Sequence, residues 1–323
     1  MEAGLSIDKL DPELIEPIKA WAKAMGGGFD FKNIGAARAA RDAARKATLA
    51  KMPVFENVIS QDHVLNVAGR RVPLRIHRPK GHPGSLPAIL WMHGGGFCIG
   101  DAEGEDTKMR RFVTEVNCVA VSVGYSLAPE HPWPAAVDDS YAALEWLAAN
   151  AASLDVDPAR VAVTGVSAGG CIAAAVTLMA RDRGKIPVAF QLLNYPVLDD
   201  RTALKPPPAS EVPPWSHQNN IDAWNMYLGH APGGDGVSEY AAPARARNLS
   251  GLPPTYMAVG EFDPLLMENI DYARRLLAAG VATEFHVYPG TFHSFDSFAP
   301  QAAVSRRASA EQLDALRRAL HRS

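Results

Sequence analysis

A serine at the predicted apex of a strand, turn and helix is the residue of this chain best suited to perform chemistry. Ser167 lies within Gly165-Val166-Ser167-Ala168-Gly169, between an apolar run at residues 161–164 and a small-residue helical pattern at residues 171–180. Glycines two positions before and after the serine let strand and helix pass closely and leave the hydroxyl exposed above a sheet. This pattern alone is weak evidence. Because a serine hydroxyl is a weak nucleophile, it needs a base, a carboxylate and an oxyanion site from elsewhere in the chain.

Two later turns offer the carboxylate and the base. Asp263 follows a predicted strand and precedes a proline, and His293 lies in a turn after the last predicted strand. A carboxylate in that place can accept a hydrogen bond from a histidine ring. Glu261 and Glu268 are competing acids, and Asp263 could instead cap the helix that begins after it. A lone histidine between aromatic residues is more often structural, but we interpret His293 as the base because Ser167 requires one.

A glycine loop offers the oxyanion site. His93-Gly94-Gly95-Gly96-Phe97 follows the predicted strand at residues 88–92. The unhindered amides of Gly94 and Gly95, with that of Ala168, could donate to negative charge developing on a carbonyl oxygen. A phosphate-binding loop is the alternative, but no Lys-Ser/Thr pair follows and the G-x-G-x-x-G spacing is missing. We expect His93 to hold this loop by hydrogen bonds and not to transfer protons.

The order of apolar runs predicts the elements that must position these groups. A β-hairpin comes first, and short continuous apolar runs then alternate with helical stretches, which indicates a mainly parallel central sheet flanked by helices on both faces. The predicted strands are residues 58–67, 72–77, 88–92, 119–123, 161–164, 190–193, 256–259 and 284–288. The helices predicted between and after them are residues 110–115, 135–149, 168–180, 265–279 and 308–320.

Two segments outside this alternation are predicted to form a helical cap. Residues 1–52 contain two helical patterns separated by Gly26-Gly27-Gly28, which is either a plain linker or a hinge. Residues 199–236 form an insertion with a proline-rich lead and a short aromatic helix at residues 222–229. The core is then residues 53–198 and 237–323. We expect bulky cap residues to line the substrate pocket: Trp215, Trp224 and Tyr227, with Phe29 or Phe31 as further candidates.

Composition excludes several classes of function. The 323 residues are 47% hydrophobic and 21% charged with a net charge of −3, and no basic patch suggests a nucleic acid as partner. The cysteines Cys98, Cys118 and Cys171 lie far apart in apolar runs, as is typical of reduced core thiols. No signal peptide and no run of membrane-spanning length is evident, so we expect a cytoplasmic protein without stable membrane association.

Several motifs, in their order, resemble the hormone-sensitive-lipase-like (bacterial family IV) carboxylesterases of the α/β-hydrolase fold. The resemblance covers roughly residues 54–320. It rests on the motifs His93-Gly94-Gly95-Gly96-Phe97, Tyr125-Ser126-Leu127-Ala128-Pro129-Glu130-His131-Pro132-Trp133-Pro134-Ala135-Ala136, Gly165 to Gly170, Asp263-Pro264-Leu265 and the His293 turn.

The resemblance implies an esterase with a helical cap, no cofactor or metal, and frequent dimerisation, so a homodimer is possible. The family's triad positions match Ser167, Asp263 and His293, and its oxyanion-hole positions match Gly94, Gly95 and Ala168. The chain departs from the family at two positions: Val166 stands where an aspartate is usual, and Ser126 stands where an arginine is usual. A charged network beneath the turn of Ser167 is therefore expected to be missing.

The predicted function is hydrolysis of short- to medium-chain acyl esters through an acyl-enzyme intermediate. A lactonase or a deacetylase would use the same triad and remains an alternative. A non-hydrolytic dehydratase or a binding protein on the same fold is a further alternative, but the intact glycine loop and complete triad count against both.

Overall fold

The computed structural model of the protein describes residues 9–24, 29–49, 55–82, 84–206 and 212–321. The glycine run predicted as a linker or hinge, Gly26 to Gly28, lies outside these ranges, as do Pro207 and Pro208 of the insertion.

Eight strands form one sheet in the order β1-β2-β4-β3-β5-β6-β7-β8. The strands β1 and β2 form an antiparallel hairpin and β2 runs antiparallel to β4, whereas all remaining neighbours are parallel. The sheet is thus mainly parallel, as the sequence predicted. The strands are β1 (Val58–Val67), β2 (Arg70–Pro79), β3 (Leu86–Met92), β4 (Val119–Val123), β5 (Val156–Val166), β6 (Phe190–Asn194), β7 (Thr255–Gly260) and β8 (Thr283–Tyr288).

The α-helices of the described residues differ from the predicted ones mainly at their ends. In chain order they are α1 (Pro12–Ala24), α2 (Ile34–Leu49), α3 (Asp106–Phe112), α4 (Ala135–Ala149), α5 (Ala168–Arg183), α6 (His217–Leu228), α7 (Leu266–Ala278), α8 (Phe295–Phe298) and α9 (Ala303–Leu320). Helix α6 begins five residues before its predicted start because Ser216 and Asn219 form a reciprocal capping box. Helix α3 lies earlier than predicted and continues into one π-helical turn at Val113–Asn117.

Alternate residues of the strands supply two cores, one on each face of the sheet. Along β3, Leu90 and Met92 belong to one apolar cluster, whereas Ile89 and Trp91 belong to the other. The first cluster includes buried side chains of α4, α5 and α7, and the second includes those of α1, α3 and α9. Because successive strand residues point to opposite faces, a strand covered on both sides must be apolar throughout, as β3 is.

The turn between β5 and α5 is as compact as the glycine spacing predicts. A Cβ on Gly165 would lie 2.1 Å from the carbonyl oxygen of Gly169, and one on Gly169 would lie 2.2 Å from that of Met92. Both neighbouring atoms are backbone and cannot move aside without shifting a strand or a helix. Helix α5 is buried from Ala168 to Ala180, and its small residues let it pack directly on the sheet.

The segments predicted as a cap are anchored by polar contacts with the core. The Arg38 guanidinium on α2 donates to the carbonyl oxygens of Cys98 (2.9 Å) and Ala128 (3.0 Å) and pairs with Glu130 through two bonds of 2.7 Å. The hydrogen bonds from Arg38 lower the pKa of the Glu130 carboxyl to about 2. The division of the chain into cap and core stays a prediction.

Candidate active site

Ser167, His293 and Asp263 form one hydrogen-bonded chain. The Ser167 hydroxyl lies 2.9 Å from His293 Nε2, and His293 Nδ1 lies 2.7 Å from Asp263 Oδ2. All three residues are buried. With the ring proton on Nδ1 donated to the carboxylate, Nε2 is free to accept the serine proton. The arrangement can therefore activate the hydroxyl as a nucleophile.

The backbone of Ser167 adopts a conformation that few residues other than glycine adopt. Its φ of 57° and ψ of −122° put the side chain at the apex of the turn. The Ser167 N–H donates to the carbonyl oxygen of Asn194 at 2.9 Å, and the Ser167 carbonyl oxygen accepts from Cys171 and Val197, each at 3.1 Å. These bonds to α5 and to the end of β6 hold the strained turn in place.

The loops that carry Asp263 and His293 are tied to each other. Phe262 N–H donates to the carbonyl oxygen of Thr291 at 2.8 Å, and Glu261 N–H donates to that of Tyr288 at 3.0 Å. A Cβ on Gly260 would lie 2.7 Å from the Thr291 carbonyl oxygen, so this position needs a glycine. The distance between carboxylate and imidazole is consequently set by the backbone.

Aromatic rings fix the imidazole from the sides. The Tyr195 ring meets the His293 ring edge to face with centroids 4.8 Å apart, and the Trp215 ring lies 5.8 Å away. The Tyr195 hydroxyl donates to Asp296 Oδ1 at 2.8 Å. The imidazole therefore has apolar neighbours in addition to its two hydrogen-bond partners.

The glycine loop lies against the serine. A Cβ on Gly94 would be 3.4 Å from the Cβ of Ser167, and one on Gly95, where φ is 130°, would be 2.1 Å from the carbonyl oxygen of Ile99. In the described part of the chain, the N–H groups of Gly94 and Gly95 donate no hydrogen bond. The N–H of Ala168 is the first of helix α5, where such groups have no partner within the helix.

His93 supports this loop as expected. Its Nδ1 lies 2.9 Å from the carbonyl oxygen of Gly94, its ring stacks on Tyr125 at 4.1 Å, and the Tyr125 hydroxyl donates to its carbonyl oxygen at 2.7 Å. Burial lowers the pKa of His93, which keeps the imidazole neutral.

A cavity of about 330 Å³ opens beside Ser167 and His293. Trp215, Phe29 and Phe31 line it. Trp224 and Tyr227 do not belong to its lining, which corrects the sequence expectation. Both are buried in the core, where Tyr227 stacks on Phe97 with ring centroids 3.9 Å apart and Trp224 lies 5.5 Å from the same ring. Both side chains point from α6 into the core, where they pack against Phe97 of the glycine loop.

Neither competing acid contacts the histidine. The Glu261 carboxylate accepts from the N–H of Gly290 at 2.8 Å. Glu268 is buried on α7 and accepts from the N–H of Leu198 at 2.7 Å. Glu261 and Glu268 thus have structural contacts, and among the three acids Asp263 is the one bonded to His293.

A charged network does lie next to Ser126, although no arginine occupies that position. Asp139 is fully buried on α4 and pairs with Arg70 of β2 at 2.7 Å. The second oxygen of Asp139 accepts from the Ser126 N–H at 2.9 Å. Arg70 thus brings a guanidinium to this loop from a distant strand, while the expected absence of a charged network beneath the turn of Ser167 stays a prediction.

Several residues at the cavity were not anticipated from the sequence. Trp21 and Phe298 contribute aromatic surface, and Arg41 and Lys108 contribute charge. Trp21 and Arg41 lie on predicted helices, but the helical pattern does not show which face meets the cavity. Phe298 lies on the short helix α8, which no periodic pattern in the sequence predicted.

Comparisons with known proteins agree with this geometry. A family model of the α/β-hydrolase fold matches residues 89–297. The carboxylesterase NlhH of Mycobacterium tuberculosis is 37% identical over 279 residues, covering 84% of this chain and 85% of that protein. The esterase LipI of the same species is 35% identical, covering 86% and 87%. The structure of a bacterial heroin esterase is 44% identical with a TM-score of 0.91, covering 98% of this chain and 100% of that one.

Fold and site together define an α/β hydrolase. Within that class, the chain belongs to the hormone-sensitive-lipase-like carboxylesterases. It is a carboxylic ester hydrolase with a Ser-His-Asp triad. None of the helices in the described ranges is long and apolar enough to cross a bilayer.

The hydrogen bonds around Glu268 are compatible with a protonated carboxyl. The Thr202 hydroxyl lies 2.7 Å from both the Asp199 carbonyl oxygen and Glu268 Oε2, yet it has one proton to donate. If Glu268 Oε2 carries a proton, it donates to Thr202, which then donates to Asp199. Burial raises the pKa of Glu268 to about 8, which also favours the protonated carboxyl.

We predict that this carboxyl makes stability depend on pH. The folded protein keeps a proton that the unfolded chain releases above its ordinary pKa near 4.5, so the stabilisation is complete below that pH and is lost as pH rises towards 8. Between pH 5 and 8, the unfolding free energy of the native protein should fall by on the order of a few kcal/mol more than that of Glu268→Gln, whose side chain is neutral at every pH. Urea denaturation at four pH values measures this slope, and equal slopes for both proteins would contradict the assignment.

Proposed function

We propose that this protein hydrolyses short- to medium-chain acyl esters, with Ser167 as nucleophile, His293 as general base and acid, and Asp263 as the group that orients His293. The observation that carries the proposal is the hydrogen-bonded chain of these three residues beside a bounded cavity. Gly94, Gly95 and Ala168 are proposed as the donors of the oxyanion hole.

Acylation begins when Ser167 Oγ attacks the ester carbonyl carbon as its proton passes to His293 Nε2. The carbonyl oxygen becomes an oxyanion, and the N–H groups of Gly94, Gly95 and Ala168 are free to bind it. The imidazolium formed is stabilised by Asp263, which stays ionised. When the tetrahedral intermediate collapses, His293 gives the proton to the leaving alcohol and an acyl-serine remains.

Deacylation repeats these steps with water. His293 removes a proton from the water molecule, the resulting nucleophile attacks the acyl carbon, and the proton returns to Ser167 Oγ as the carboxylic acid leaves. A lactonase or a deacetylase would use the same steps, so the triad alone does not separate these activities. A dehydratase or a binding protein is disfavoured because the glycine loop and the triad are both complete.

The size of the cavity supports short substrates. Its volume of about 330 Å³ is at the lower end of the roughly 300–1,000 Å³ range of ligand pockets. Aromatic side chains from α1, α8 and the segments before α2 and α6 bound it, namely Trp21, Phe29, Phe31, Trp215 and Phe298. Each added methylene gains up to about 0.8 kcal/mol by burial. Once the space is full, overpacking costs about 1–3 kcal/mol and outweighs that gain.

A serine-directed phosphonate tests the nucleophile. We expect Ser167 Oγ to displace the leaving group from phosphorus, so intact-mass measurement should show one adduct per chain and peptide mapping should place it on Ser167. Ser167→Ala should take up none. Ser297, which also lines the cavity, supplies the control: Ser297→Ala should still take up one. An adduct on another serine in the native protein would overturn the assignment.

The acyl-chain profile tests the boundary of the pocket. On p-nitrophenyl esters, kcat/KM should peak between acetate and hexanoate and fall steeply at longer chains. Trp215→Ala should move the peak to longer chains because it removes a lining ring. Trp146→Ala is the matched control, since Trp146 stacks on His63 away from the cavity. A profile that still rises at palmitate, or is unchanged in Trp215→Ala, would show that this wall does not limit the chain.

A further inference from the structure

A second cavity adjoins the one that contains Ser167. It measures about 340 Å³ and shares the lining residues Arg41, Glu105, Lys108 and Ser297 with the active-site cavity. We call this second space the polar annex. Because the same four side chains border both spaces, the annex lies directly beside the active-site cavity.

The two spaces differ in the types of the side chains that they do not share. The remaining lining of the active-site cavity is largely aromatic and apolar, whereas the annex is bordered mainly by charged and hydroxyl-bearing side chains such as Thr107, Arg111, Asp296 and Ser309. An apolar substituent gains little beside charged side chains, whose own solvation it would disturb. The annex therefore suits a polar substituent of the ester.

The charges at the annex do not cancel. Its lining contains three cationic side chains, Arg41, Lys108 and Arg111, and two carboxylates, Glu105 and Asp296. Arg41 pairs with Glu105 at 3.5 Å. Arg111 donates to the neutral Ser309 hydroxyl at 2.8 Å and has no ion-pair partner among the described residues.

Lys108, the second cation of the shared wall, is ion-paired but makes no hydrogen bond to its partner carboxylate. Its ammonium lies 3.9 Å from Asp296 Oδ2, too far for a hydrogen bond, and 5.1 Å from the centre of the Trp91 ring. The partner carboxylate already accepts from the Tyr195 hydroxyl. With its donors unused by Asp296, Lys108 can bind an anion that reaches the boundary between the two cavities.

We propose that the polar annex binds an anionic group of the substrate through Lys108, so that the preferred esters carry a carboxylate or phosphate remote from the scissile bond. This inference rests on the proposed ester hydrolysis at Ser167. The anion could belong to either side of the ester: on the acyl chain it would stay with the acyl-enzyme, and on the alcohol it would leave in the first step. Both cases place the same charge in the same space.

Two series of esters test the proposal with the intact protein. In the acyl series, p-nitrophenyl valerate is compared with the mono-p-nitrophenyl ester of glutaric acid and with a trimethylammonium ester of equal length. In the alcohol series, butyl acetate is compared with 4-acetoxybutyrate and with acetylcholine. We expect the anionic ester to exceed its neutral counterpart in kcat/KM by about threefold to tenfold in one series, as one partly screened ion pair would give.

The ratio of kcat/KM for the anionic ester to kcat/KM for the neutral ester shows whether Lys108 binds the anion. Lys108→Met should bring this ratio close to one, and Lys108→Glu should favour the cationic ester. Lys185→Met is the matched control because it removes the same charge just beyond the far end of α5, about 24 Å along that helix from Ser167. Raising the ionic strength from 0.05 to 0.5 M should also lower the ratio in the native protein.

The outcomes separate this inference from the proposed function. If the neutral esters are hydrolysed but the anionic ester is no better in either series, the annex proposal is overturned and the esterase stands. A preference for the cationic ester, or an anionic preference that survives in Lys108→Met, overturns it equally. If the neutral esters are not hydrolysed at all, it is the proposed function that fails.

Discussion

The hydrogen bond from His293 to Asp263 is the interaction on which the rest of the site depends. It is buried, and it fixes both the ring orientation and the tautomer that leaves Nε2 facing Ser167. A carboxylate without that partner would be a costly buried charge, and an imidazole without the carboxylate could present its proton to the serine instead of its lone pair. The strained turn at Ser167 and the aromatic contacts of His293 serve to keep this one geometry.

The sheet explains how residues so far apart in sequence meet. Ser167 follows β5 and His293 follows β8, and with β6 and β7 between them the two strands are roughly 14 Å apart at the usual spacing of about 4.8 Å. The loop after β8 therefore has to return across the strand ends. It does so along the loop after β7, which carries Asp263, and over Tyr195 at the end of β6. The imidazole carried by the loop after β8 is thus positioned by one contact from the end of each of the other three strands.

The features that could be predicted from the sequence are those that leave a local pattern of residue types. The strands and the turn at Ser167 are readable because buried parallel strands are continuous apolar runs and the turn needs its glycines. Asp263 and His293 were recognisable as turn residues after strands, in a fixed order. The orientation of α6 was not readable, so Trp224 and Tyr227 were expected at the pocket although they face the core. Contacts between distant segments, such as Arg70 with Asp139 or Arg38 with Cys98, leave no local signal at all.

We infer that Asp263 acts on Ser167 only through His293. A double-mutant cycle on kcat tests it most directly, using Asp263→Asn, His293→Ala and the combined variant, with thermal unfolding to confirm that each is folded. Residues that act as one unit show non-additive losses. We expect a loss of about 10⁴-fold for Asp263→Asn and no further loss when it is added to His293→Ala. Losses that multiply in the combined variant, or near-native turnover in Asp263→Asn, would contradict it.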